Sequence, residues 1–206
     1  MKKLNFILIL LLLICGNLPA QSLKDLFLKM PVELLPLLKE NDRLDLIDLY
    51  EAKMNIPVTN RLDGKSSIKM LTDNYMYLTL SASSSMQIKM LTDVNGDTLL
   101  CVVNTVSAEA ADSRIRLYKN DWQPVENGFF DTPAIADFFI QSDNTKEALE
   151  LADIYLVELN LSPEDNTLVA EYTLPRYMNK EDAARILPLL HKIVYIWDGR
   201  GFVPGK

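Results

Sequence analysis

The spacing of apolar residues changes character several times along the chain. Phe6 to Cys15 is an unbroken apolar run. After it, Leu23, Leu26, Phe27 and Met30 recur at helical spacing and define one buried face. Ser22 with Asp25 three residues on reads as a helix N-cap with an acidic third position. Pro31 and Pro36 interrupt the pattern, which predicts several short helices in place of one rod. Asn41 is placed to cap a further helix, with Leu44, Ile47 and Tyr50 as its inward stripe.

From Ile56 the period falls to two. Alternating apolar and polar residues predict strands over 56–62, 66–72, 75–82, 86–92, 97–106 and 113–119. Asp63-Gly64 and Asn95-Gly96 mark tight turns, because glycine accepts the positive φ that hairpins require. Connections this short favour an antiparallel meander. One hexapeptide, Ile68 to Asp73, recurs as Ile88 to Asp93. Read as two similar strands, it sends Ile68, Met70, Ile88 and Met90 to the core and Lys69 and Lys89 to solvent; read functionally, it is a repeated binding ridge.

The last third mixes both periods. Thr132-Pro133 opens a helical pattern to about Leu151, broken near Ser142 to Asn144. Strands follow over 154–161 and 167–174, then a helix from Asn179 to about Leu190. A strand over 192–197 leads to the turn Asp198-Gly199-Arg200-Gly201 and Phe202. Runs of strands and runs of helices define an α+β chain: an antiparallel meander with N-terminal and C-terminal helices packed on it. Residues 21–206 read as one domain, helical over 22–54, sheet over 56–122 and mixed over 128–206, with no glycine-rich linker between the parts.

The N-terminal run changes the expected compartment. Lys2 and Lys3 precede it, and Gly16, Asn17 and Leu18-Pro19-Ala20 follow, the layout of a secretory signal cleaved before Gln21. The run is about half the ~20 residues a membrane-spanning helix needs. Cys15 raises the alternative of a lipidated N-terminus, but Ile14 is bulky where lipoprotein processing favours a small residue. The expected location is the periplasm or the cell surface, with no transmembrane segment in residues 21–206.

Cleavage takes the 21 basic residues to 19, against 28 acidic ones, a net charge of −9. That charge repels nucleic-acid phosphates, and no nucleic-acid partner is expected. Cys101 would have no partner for a disulfide and sits in an apolar strand, which predicts a buried, slow-reacting thiol.

Candidate chemistry is sparse. His191 is the one histidine, so His-based zinc sites and most nucleophile triads lack material. No phosphate-binding glycine loop or nucleophile elbow is present, and no cofactor is expected. Asp42, Asp45 and Asp48 share one helix face, where carboxylates could serve as acid and base or hold calcium; a solvated face explains them as well. Asp93-Val94-Asn95-Gly96-Asp97 resembles a calcium loop but lacks the downstream glutamate, and reads as a hairpin turn.

Aromatic residues near turns remain: Trp122, Tyr195, Trp197 and Phe202, with Arg200 between the last two. Such residues either fill a sheet face or present a partner-binding patch. If Ile196 faces the core, alternation leaves Tyr195 and Trp197 on the accessible side.

The chain resembles a domain-of-unknown-function family of secreted proteins from Bacteroidales-type bacteria. The residues that carry the resemblance are Phe27, Met30-Pro31, Leu35-Pro36, Asn41, Arg43, Asp45, Thr105-Val106, Asp112-Ser113, Tyr118, Trp122, and the ending Tyr195 to Gly199 with Phe202. The resemblance implies no activity. A looser likeness, of shape alone, is to exported β-lactamase-inhibitor-like folds. The functional expectations are a non-catalytic module binding a protein, peptide or glycan; a carboxylate-dependent hydrolase; or a structural subunit of an envelope complex.

Overall fold

The computed structural model describes residues 21–126 and 128–205. The expected signal peptide and Cys15 lie outside the described residues.

Helix α1 spans Leu23–Leu28 and buries Leu23, Leu26 and Phe27. Ser22 caps it, its Oγ accepting from the Asp25 N–H at 3.2 Å. Irregular turns follow through the prolines to α2, Glu40–Glu51. This helix begins before Asn41: the Lys39 N–H donates to the Asp42 carboxylate at 2.8 Å, so Asp42 satisfies the first turn. Its buried face is Arg43, Leu46 and Ile47, while Leu44 is 45% exposed. Arg43 accounts for that rotation. Its guanidinium donates to the carbonyls of Phe27 at 3.1 Å and Met30 at 2.5 Å, completing the C-terminal end of α1.

The meander forms in sequence order as one six-stranded antiparallel sheet. Its strands are β1 (Val58–Thr59), β2 (Lys65–Leu71), β3 (Tyr75–Ser81), β4 (Ser84–Thr92), β5 (Thr98–Ser107) and β6 (Ala111–Lys119). The remaining strands build a second antiparallel sheet instead of extending the first. These are β7 (Val157–Leu161), β8 (Thr167–Tyr172), β9 (Ile193–Trp197) and β10 (Phe202–Pro204), in the order β10-β9-β8-β7. The fold is α+β with two sheets.

Both faces of the first sheet are covered. Met76, Leu78, Met86, Ile88, Leu100 and Val102 join α1, α2, Tyr118 and Trp122 in one core. Tyr75, Leu91, Cys101, Val103 and Leu117 meet Leu159, Leu168, Tyr195 and Trp197 of the second sheet in another. Strands β4 and β5 therefore lack the polar-out face of a one-sided sheet. The second sheet is also tied to the first at its β7 edge. The N–H groups of Val157, Leu159 and Leu161 donate to Asp112 Oδ1 (3.4 Å), Ser113 Oγ (3.0 Å) and Gln87 Oε1 (2.9 Å). Side chains of one sheet thus take the place of a further strand, covering an edge that would otherwise be free to pair.

The repeated hexapeptide does not occupy equivalent positions. Ile68 and Ile88 are buried, and Met90 is partly buried beside them. Met70 is 40% exposed, because a bulge between Ile68 and Met70 turns it to the other face. Lys89 points inward and is 1% exposed, because its face of β4 is covered by the second sheet. The helix expected from Thr132 is a 3-10 turn over Ile135–Phe138, followed by α3 over Thr145–Leu151. Helix α4 spans Lys180–Ile186 and continues as a 3-10 turn over Leu187–Leu189, where Pro188 withholds a donor.

Candidate binding groove

The aromatic residues singled out from sequence do not form a surface. Tyr195, Trp197, Phe202 and Trp122 are 4%, 7%, 4% and 5% exposed, whereas Ile196 is 47% exposed. Alternation along β9 holds, but its polarity is reversed. The wide space between the sheets takes the aromatic rings, and Ile196 lies outside opposite Val203. Trp197 packs edge-to-face on Phe202 at 5.3 Å, and its Nε1 donates to the Thr92 carbonyl at 2.8 Å. Trp122 Nε1 donates to the Leu26 carbonyl at 2.9 Å, pinning α1 to the sheet. Of the proposed patch, only Arg200 is exposed, and its backbone N–H serves the turn by donating to Asp198 Oδ1 at 2.8 Å.

The other candidates are similarly placed. Asp45 and Asp48 are exposed, and Asp42 caps its own helix. His191 is exposed, with Nδ1 3.1 Å from the Lys192 carbonyl oxygen. The Cys101 thiol is fully buried, and that burial holds its pKa far above the ordinary value. Asp93 Oδ1 accepts from the N–H groups of Asn95 and Asp97, both at 2.8 Å, closing a hairpin turn. No cluster of three or more metal-ligating side chains occurs among the described residues.

A concave surface lies instead where α2 ends beside β2. Lys53 adopts φ 56°, the left-handed conformation that reverses the chain after a helix. The Lys53 N–H reaches the Tyr50 carbonyl and the Met54 N–H the Leu49 carbonyl, both at 2.9 Å, which satisfies the last turn of α2. The chain then returns as Met54 to Pro57 before β1 begins. Strand β1 pairs only with Lys65 and Ser66. The pairing ends at Val58, and beyond it the chain and β2 diverge.

The divergence leaves a groove of about 890 Å³. Its floor is Leu23, Leu46, Leu49, Ile68 and Leu71; Met54, Ile56 and Pro57 line it from the loop. Met54 and Ile56 are about half exposed, at 49% and 52%. Lys24, Glu51, Lys53, Lys69 and Asp73 supply its charge. Lys24 pairs with Glu51 at 2.7 Å, and the hydrogen bond to that carboxylate raises its pKa. Lys53 and Lys69 are exposed and have no ion-pair partner among the described residues. Tyr50 closes one point of the β2 edge: the Leu71 N–H donates to its hydroxyl oxygen at 3.1 Å. Volume, apolar floor and a few polar groups match the general form of a ligand site. Sequence reading missed it because its residues come from two helices, a loop and a strand edge. The one local signal was the apolar pair Met54 and Ile56 next to Pro57, outside any periodic run.

The fold and groove define a two-sheet α+β scaffold with a helical cap and a concave site at the cap's edge. Residues 16–202 match the family described as a protein of unknown function (DUF3256), and the chain belongs to that family. No curated protein matches. A solved structure of a domain of an uncharacterised protein from Porphyromonas gingivalis W83 is similar, with 26% identity and a TM-score of 0.76. The match covers 90% of this chain and 98% of that one. No helix among the described residues is long and apolar enough to cross a membrane.

Proposed function

We propose that the protein is an exported, non-catalytic binding module of the periplasm or cell surface, and that its ligand sits in the groove between α2 and β2. The groove carries the reading: it joins an apolar floor to exposed cations on a chain that is otherwise acidic. Export is supported by Lys2, Lys3, the apolar run to Cys15 and the Ala20-Gln21 junction. The hydrolase alternative has less support, because none of Asp42, Asp45 and Asp48 lines the groove.

Two measurements test this. Intact mass of the protein recovered from the cell envelope should match a chain beginning at or near Gln21; a retained leader or a lipid on Cys15 would refute the export route. Leu49→Arg places a charge in the floor at a half-buried position. It should abolish capture of a ligand that wild type retains, with the fold unchanged by circular dichroism. Capture that survives the substitution would move the site elsewhere.

A further inference from the structure

We infer that the groove takes an extended peptide, which adds as a strand to the outer edge of β2 and presents an acidic side chain to Lys53 and Lys69. This rests on the groove being the binding site.

The backbone argues for a strand. Beyond Ser66, β2 has no partner on its outer side among the described residues, because the chain leaves the ladder at Pro57. Backbone groups at a sheet edge seek partners, and an extended peptide supplies them in register. The Leu71 N–H shows the demand: its acceptor is a side-chain oxygen, that of Tyr50, where a neighbouring strand would offer a carbonyl. The free stretch, Ser67–Leu71, runs roughly 17 Å at about 3.3 Å per residue. Alternation in a bound strand would turn every second side chain to the apolar floor of Leu46, Leu49 and Leu71.

Charge argues for an acidic peptide. Lys53 at the end of α2 and Lys69 on β2 both line the groove, and neither is engaged by a carboxylate among the described residues. With Lys24 and Glu51 paired to each other, they stand against the single unpaired carboxylate of Asp73, and the groove's free charge is net positive among the described residues. Lys69 stands at the bulge, where it discourages edge-to-edge pairing with uncharged strands and tolerates an acidic one.

The test is selection from a displayed random decapeptide library on the purified protein. Enriched peptides should alternate apolar residues and carry Asp or Glu. Amide shifts on binding should map to Ser67–Leu71 and Tyr50. N-methylation of alternate backbone amides in one enriched peptide should weaken it about tenfold, the loss of one or two net hydrogen bonds. Lys53→Glu with Lys69→Glu should weaken it about fivefold, both sites being exposed. Tyr50→Phe frees the Leu71 N–H and should strengthen binding about threefold. No enrichment, or enriched peptides insensitive to N-methylation, overturns the inference. Sodium laurate serves as a second probe. If it shifts groove residues while no peptide does, strand addition falls and the groove remains a binding site. If neither does, both fall.

Discussion

Lys89 is a single residue whose environment opposes its charge. Its ammonium lies between the sheets, 3.4 Å from Asn74 Oδ1 and 3.2 Å from the Pro163 carbonyl, with the Tyr75 ring centroid at 5.9 Å. No carboxylate forms an ion pair with it among the described residues, and burial lowers its pKa from the ordinary 10.5. Below its folded-state pKa, Lys89 is protonated in both states and the folded protein carries the full desolvation cost. Between that pKa and 10.5 the folded state sheds the proton first, so stability rises with pH. Lys89→Met should therefore stabilise the protein at pH 7, by on the order of 1 kcal/mol. Urea unfolding of both proteins should show this advantage shrinking as pH rises toward 10.5. A variant less stable than wild type at pH 7 would show that the two hydrogen bonds outweigh the desolvation. Trp197 is the converse case, a residue fully matched to its site. Trp197→Ala removes the ring from Phe202 and the donor from the Thr92 carbonyl. The expected loss is about 3–5 kcal/mol, a large part of the ~5–15 kcal/mol that holds a domain folded. A melting temperature within a few degrees of wild type would contradict that placement.

The β2 bulge gives a prediction for an element. Antiparallel pairing passes from Ile68↔Leu78 to Met70↔Tyr77, so Lys69 is the additional residue. Deleting Lys69 joins two residues whose partners are already adjacent on β3, so the register beyond the site is retained. The edge loses both its kink and its charge. The deletion should leave urea stability within about 1 kcal/mol of wild type while promoting association through β2 edges, which sedimentation velocity would detect. A large loss of stability would mean that the bulge is required to seat Leu71 on the helical core.

What was legible in the sequence was also set at the level of elements. The meander could be read because its turns and alternation are local, and Cys101 because an apolar strand surrounds it. Lys89 and the face of Trp197 could not. Each depends on a second sheet packing against the first, which no periodicity within β4 or β9 encodes. The same ambiguity exchanged Leu44 for Arg43 in α2, since the partners of Arg43 are carbonyls in and just after α1. The groove was hidden for a similar reason: it exists where β1 stops, and its residues are contiguous only in the folded chain.

At the scale of the molecule, the first sheet is shared. Met86, Ile88, Leu100 and Val102 face the helices, while Gln87, Leu91, Cys101 and Val103 of the same strands face the second sheet. Loss of either outer layer exposes one face of β4 and β5 to water, which weakens the strands that the other layer needs. The β7 ties to Asp112, Ser113 and Gln87 would break in the same event. Several residues that carry the family resemblance sit at junctions: Arg43 between α1 and α2, Trp122 between α1 and the first sheet, Asp112 and Ser113 between the sheets. The protein supplies its own reporters, because it has 2 tryptophans and each lies in a different core. Trp122 reports the helical core and Trp197 the core between the sheets. Trp122→Phe and Trp197→Phe leave one reporter each and change stability by different amounts. Each variant's fluorescence should therefore be compared with its own far-ultraviolet circular dichroism, not with the other variant. In both, the two signals should fall in one urea transition with the same midpoint and slope, the mark of all-or-none unfolding. If the Trp122 signal were lost well before the circular dichroism of the same variant, the helices would be a cap that melts alone. The groove between α2 and β2 would then open without the rest of the fold.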